Sequence, residues 1–213
     1  FNAVPTIEIT SSNWYNPTMN YKLFMVPGIL VTLLTIIGSL MAALNIVHEK
    51  EVGTIEQINV SPITKLQFIL GKLIPFWVMG LVTLTLGLIV SWLFYNIIPI
   101  GSIALIYLFG MVFLITLLGI GLLISTYAET QTQATFVSFF IMMLFMLLGG
   151  LYTPIESMPE WAKWITKINP VAYFIEVMRM IVLKGSGFSD VKDQFFSVLG
   201  LGIVFTGWAV INY

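Results

Sequence analysis

The chain has 213 residues, 58% of them hydrophobic, with nine Lys or Arg, ten Asp or Glu and a formal net charge of -1; its mean hydropathy is +0.98. That is a membrane composition, and the scattered cations exclude a basic surface for nucleic acid. With no cysteine in the chain, disulfide and thiolate chemistry are excluded as well.

Taken in order, residues 1–22 begin with Phe1 and show neither a basic n-region nor an apolar h-region. They read as the tail of something longer. Five uncharged runs follow at 23–47, 73–95, 103–128, 134–151 and 195–213. Crossing the hydrocarbon takes about 20 mostly apolar residues, and continuous runs lack the alternation of a barrel strand. The expected fold is an all-α polytopic helical membrane protein with five spans.

Residues 48–72 carry Glu49, Lys50, Glu51, Glu56, Lys65 and Lys72. Each would cost about 2.5 to 3.5 kcal/mol at a helix centre, so this segment is expected outside the hydrocarbon. The links 96–102 and 129–133 are short enough to force antiparallel hairpins. Within the second, Thr130, Gln131, Thr132 and Gln133 read as a polar turn. Residues 152–194 contain "VAYFIEVMRMIVL", too short to span and interrupted by Glu176 and Arg179. These two lie three apart on one helical face and are expected to pair, which suits an interfacial or re-entrant helix. Parity places 1–22, 96–102 and 152–194 on one side, with six Lys or Arg against three on the other. The positive-inside rule would call that first side cytoplasmic, but residues 152–194 are long and partly embedded, so charge alone leaves orientation open.

The stretch "HEKEVGTIEQINVSP", residues 48–62, has its own local grammar. Gly53 can take the angles that end a helix, Thr54 with Gln57 forms a capping box, and Ser61 with Pro62 starts a further helix. Between them a short amphipathic helix is expected. Catalytic readings fail on residue type: position 52 is valine where H-E-x-x-H needs its second histidine, and His48 is the one histidine present. No span contains Asp, and Gly71-Lys72 is not preceded by a correctly spaced glycine, so there is no P-loop. No catalytic residue and no metal ligand is expected.

The run "VHEKEVGTIEQINVSPITKLQFILGK" strongly resembles the segment between the second and third spanning helices of type-2 permease subunits of ABC exporters with a large external domain. "WYNPTMNYKLFMVPGI", "GGLYTPIESMPEWAKWITKINPVAYFIEVMR" and "LKGSG" resemble the same family in order and spacing. The resemblance implies that the five runs are the second to sixth of six spans, with residues 48–72 cytoplasmic and 152–194 extracytoplasmic, against the naive charge count. It implies a coupling helix seated on a separate ABC ATPase subunit that holds ATP and Mg, with no cofactor in this chain. Glu49, Lys50, Glu51, Gly53, Thr54 and Glu56 are then the candidates for docking and shape. Pro154, Asn169, Pro170, Glu176 and Arg179 are the candidates for an external gate in the re-entrant segment. The resemblance also implies that residues 1–22 are the end of a large extracytoplasmic domain, and that a second permease copy or a paralogue completes the pathway in the cell membrane, in contact with lipid. Gly38 with Ala42, Ser39 with Ala43, and Gly119 with Gly121 permit close helix approach, more simply within one bundle than at a dimer seam. A passive channel or scaffold would keep the same spans and need no ATPase.

Overall fold

The structure, a computed structural model, describes residues 20–53 and 65–212. The expected capping box at Thr54 and the helix start at Ser61 and Pro62 lie outside the described residues, as does Glu56. Within them every regular element is helical. We number the α-helices α1 (Tyr21–Thr35), α2 (Ala42–Val52), α3 (Lys65–Tyr95), α4 (Ile103–Tyr127), α5 (Gln131–Leu147), α6 (Glu160–Thr166), α7 (Pro170–Arg179) and α8 (Phe188–Asn212). A π-helical turn, Ile36–Met41, joins α1 to α2 without a break, so that one helix runs from Tyr21 to Val52.

Among the described residues four helices are long and apolar enough to cross a membrane: Tyr21–Val52, Gln67–Tyr95, Ile103–Tyr127 and Phe188–Asn212. The fifth expected span is α5, which has 17 residues. At 1.5 Å per residue that is about 25 Å, at the short end of what crosses a hydrocarbon core of about 30 Å. It ends earlier than the apolar run because Gly150 adopts a φ of 76° and turns the chain. In the other direction, α8 starts at Phe188, where the apolar run begins only at 195. The added turns carry Asp190, Lys192 and Asp193, all three exposed.

α4 is the centre of the bundle. Phe109, Phe113, Leu114 and Leu117 on it are fully buried against Leu30, Val31 and Leu34 of α1, Leu84 of α3 and Val198 of α8. The short α7 joins the same core: Phe174 stacks on Phe109 at 5.1 Å between centroids and meets Phe113 at 4.6 Å. Even with the π-helical turn Met180–Lys184 that continues it, α7 is about 22 Å long and too short to cross. Its amphipathic pattern instead turns Val171, Phe174, Ile175 and Met178 inward and leaves Glu176 exposed.

Small residues do set helix approach, and they do so inside the chain. A Cβ on Gly121 of α4 would lie 2.5 Å from the Ser39 carbonyl and 2.8 Å from the Ala42 Cβ, so the π-turn rests directly on that glycine. On the other face of α4, Gly119 accommodates Thr206 of α8 and Gly202 of α8 accommodates Thr116. Thr116 then donates from Oγ1 to the Val198 carbonyl at 3.0 Å. Thr116→Val keeps the shape and removes this donor, and is expected to cost about 1 kcal/mol. Thermal unfolding of the purified protein in detergent reads the change.

A candidate coupling site and the opposite end of the bundle

The last turn of α2 carries four polar residues in succession, and Glu49, Lys50 and Glu51 among them reach α3, the end of α4 and the start of α5 respectively. α2 stops because Gly53 takes φ 80° and ψ 9°, and its N–H donates to the Glu49 and Lys50 carbonyls. Most residues resist that left-handed conformation, so the sequence reading of Gly53 as the terminator matches the structure. Glu49 pairs with Lys72 of α3 at 2.5 Å. Lys50 extends to the end of α4, where Nζ donates to the carbonyls of Ser125, Thr126 and Ala128. A helix C-terminus has unpaired carbonyls and partial negative charge, which a lysine ammonium satisfies on both counts.

Glu51 does the reverse at the start of α5. Its Oε1 accepts from the Gln131 backbone N–H at 2.8 Å and its Oε2 accepts from Gln131 Nε2. Gln131 is the first residue of α5, so a carboxylate faces the positive end of that helix. The Gln131 amide also lies 3.1 Å from His48 Nδ1. Adjacent residues of α2 thus hold the two ends that meet in the α4–α5 hairpin, each by the sign of charge that end prefers. Of the residues singled out in the sequence, Glu49, Lys50, Glu51 and Gly53 come together here; Thr54 and Glu56 lie outside the described residues.

Gln131 is the residue that sequence reading passed over as part of a polar turn. The signal was present: "TQTQ" from Thr130 to Gln133 has the same capping-box spacing as Thr54 to Gln57. In the structure Thr130 Oγ1 accepts from the Gln133 N–H at 3.2 Å, and Gln133 Oε1 accepts from the Glu129 N–H at 3.0 Å. This caps α5 and aims Gln131 at α2.

At the opposite end, the second group of candidates gathers on the end of α5. Asn169 is fully buried. Its Oδ1 accepts from the Val171 N–H at 3.0 Å, capping α7, with Pro170 in the first helical position. Its Nδ2 donates to the Phe145 carbonyl at 2.8 Å. Thr166 Oγ1 donates to the Leu148 carbonyl at 3.2 Å, and Arg179 Nη1 to the Gly150 carbonyl at 3.0 Å. Pro154 stays apart from this cluster, its carbonyl accepting from Ser157 to start the short 3-10 turn Ile155–Ser157.

The expected pairing of Glu176 with Arg179 does not form. Glu176 is exposed and accepts from Gln194 Nε2 at 3.2 Å. Arg179 points the other way, with its guanidinium 3.5 Å from the centre of the Phe24 ring. The reason is amphipathicity: the arginine stem is drawn onto apolar surface at the edge of the core, where an aromatic face and a helix-end carbonyl satisfy part of its charge. Nε and Nη2 are buried and have no partner among the described residues.

Four helices long and apolar enough to cross a membrane, packed as one bundle among the described residues, define a multi-pass membrane protein. The chain matches the model of the ABC-2 family transporter proteins over residues 2–212, and it belongs to that family. It is 35% identical over 192 residues to the probable multidrug ABC transporter permease YbhR of Escherichia coli, covering 90% of this chain and 52% of that protein. It is 31% identical over 183 residues to YbhS of the same organism, also a probable multidrug ABC transporter permease, with 85% and 48% covered. The inner membrane transport permease YhhJ of Escherichia coli is 27% identical over 216 residues, with 100% and 57% covered. The chain therefore spans about half the length of these relatives. It is a multi-pass protein of the inner or plasma membrane and a type-2 permease subunit of an ABC transporter.

Proposed function

We propose that the whole protein is the membrane-spanning subunit of an ATP-driven exporter, and that residues 48–72 are its cytoplasmic contact with a separate ABC ATPase. The observation that carries this reading is the brace around α2. A helix that projects past its apolar run, stops at a left-handed glycine and is tied to α3, to the end of α4 and to the start of α5 is suited to receive a mechanical load. Adjoining this end are Thr54 and Glu56, which we assign to docking. Nucleotide-driven closure of the ATPase would then tilt α2 and the helices attached to it. Residues 152–194 lie on the external side in this reading and form the gate. ATP and Mg belong to the partner, and a second permease copy or a paralogue completes the pathway. YbhR is named a probable multidrug transporter permease, and we propose a drug-like small molecule as the cargo here.

The test uses the full-length protein reconstituted with its candidate ATPase. Glu56→Ala is expected to lower transport per ATP hydrolysed at least about fivefold, within the range typical of coupling between sites. Unchanged transport and unchanged ATPase binding would rule out the coupling role of this segment.

A further inference from the structure

Resting on the coupling reading above, we infer that α5 is the strut that carries motion of the coupling segment to the external gate, and that Gln131 is the positioning residue at its cytoplasmic end. Both ends of this helix are fixed by side chains from the two regions that must communicate. At the cytoplasmic end both oxygens of Glu51 are engaged by Gln131, one through its backbone N–H and the other through its side chain. Two bonds to one residue define a direction as well as a distance, so a displacement of Glu51 is delivered to α5 without free rotation. Glu51 itself lies two residues before Gly53, where the coupling segment departs.

At the other end, the carbonyls of Phe145, Leu148 and Gly150 accept from Asn169, Thr166 and Arg179 respectively. Those three donors belong to the end of α6, the cap of α7 and the end of α7. The gate segment therefore hangs from the last turn of α5, its C-cap Leu148 and the turn that follows by hydrogen bonds, two of them from side chains that are mostly or fully buried, Thr166 and Asn169. Between the two ends α5 holds neither proline nor glycine, since Gly149 and Gly150 fall just after Leu147. A regular helix of this length is stiff along its axis, whereas the rival connection is not uniform. That rival is the helix from Tyr21 to Val52, which runs from Phe24 beneath Arg179 down to Glu51. It contains Pro27 and the π-turn Ile36–Met41, two features that let a helix bend.

The sequence contains no cysteine, so one introduced thiol reports on the gate without interference from this chain. Tyr152, which is 59% exposed beside the α5 end, is the position for it. In the full-length protein carrying Tyr152→Cys, with other cysteines replaced, reconstituted with its ATPase, the maleimide labelling rate is measured with and without a non-hydrolysable ATP analogue. The nucleotide is expected to change that rate about fivefold or more with Gln131 present, the lower end of typical coupling between sites. Gln131→Leu and Gln131→Glu are expected to remove the response at equal ATPase occupancy. The exchange of Glu51→Gln together with Gln131→Glu restores one carboxylate and one amide at the junction and is expected to restore the response, which a merely destabilising change would not do. If Gln131→Leu and Gln131→Glu both keep the full response while Phe24→Ala removes it, the load runs through α1 and α2 and the strut assignment is wrong. A protein with Gln131 present that binds its ATPase and shows no nucleotide response overturns the coupling reading itself, and the strut with it.

Discussion

Gly53→Pro is expected to reduce ATP-driven transport by the full-length protein about tenfold or more while the partner ATPase continues to hydrolyse ATP. Proline fixes φ near -65° and has no N–H, whereas Gly53 sits at φ 80° and donates to the Glu49 and Lys50 carbonyls. A tenfold loss corresponds to about 1.4 kcal/mol of coupling, and an incompatible proline costs about 3 kcal/mol or more where it is placed. The damage is confined to the exit from α2, because a Cβ at Gly53 would meet nothing within 4 Å and no core packing is lost. Parallel measurements of vesicle transport and of ATP turnover separate loss of coupling from loss of assembly. Transport and turnover falling together would mean that the complex fails to form, and that Gly53 shapes the docking surface itself.

The second large effect is on stability. Gly121→Ala places a methyl group 2.5 Å from the Ser39 carbonyl oxygen, 2.8 Å from the Ala42 Cβ and 3.2 Å from the Ala43 nitrogen. Two of those three neighbours are backbone, so relief requires α2 and α4 to move apart. Overpacking typically costs 1–3 kcal/mol, and the upper end, about 3 kcal/mol, is expected here. For a chain of this size that lowers the melting temperature by about 6–12 °C. Gly71→Ala serves as the contrast, since no atom lies within 4 Å of its Cβ position and alanine is the better helix former. It is expected to leave the melting temperature unchanged or slightly raised. Intrinsic tryptophan fluorescence during heating in detergent reads both variants.

What was legible in the sequence was whatever local chemistry determines. The long apolar runs became helices at nearly the expected places, because in lipid a continuous apolar segment has little alternative to satisfying its backbone internally. Gly53 and the Asn169-Pro170 pair behaved as terminator and cap because those roles depend on a few adjacent residues. The small residues of α2 and α4 met within the chain, as bundle packing implies.

What was not legible depends on residues far apart in sequence. Glu176 and Arg179 have the spacing of a helical ion pair, yet the core draws Arg179 toward Phe24 and Gly150 while Glu176 meets Gln194 on α8. Periodicity gives the face of a helix, and the identity of what covers that face comes from the fold. The partnership of Glu51 with Gln131 spans 80 residues and carries no local trace. Only its supporting cap, Thr130 with Gln133, was readable, through the same spacing noticed at Thr54 and Gln57. The ends of α5 and α8 moved for a related reason, since hydrophobicity marks what enters lipid while glycine geometry and capping mark where a helix stops.

The most direct test places a photo-crosslinking amino acid at Glu56 in the full-length protein and, separately, at Glu156 beyond the opposite end of α5. With the ATPase bound, irradiation should join the subunits through position 56 and leave position 156 unlinked, on opposite sides of the membrane. ATPase captured through position 156, or a bound ATPase with no product from position 56, would contradict both the orientation and the coupling role proposed for residues 48–72.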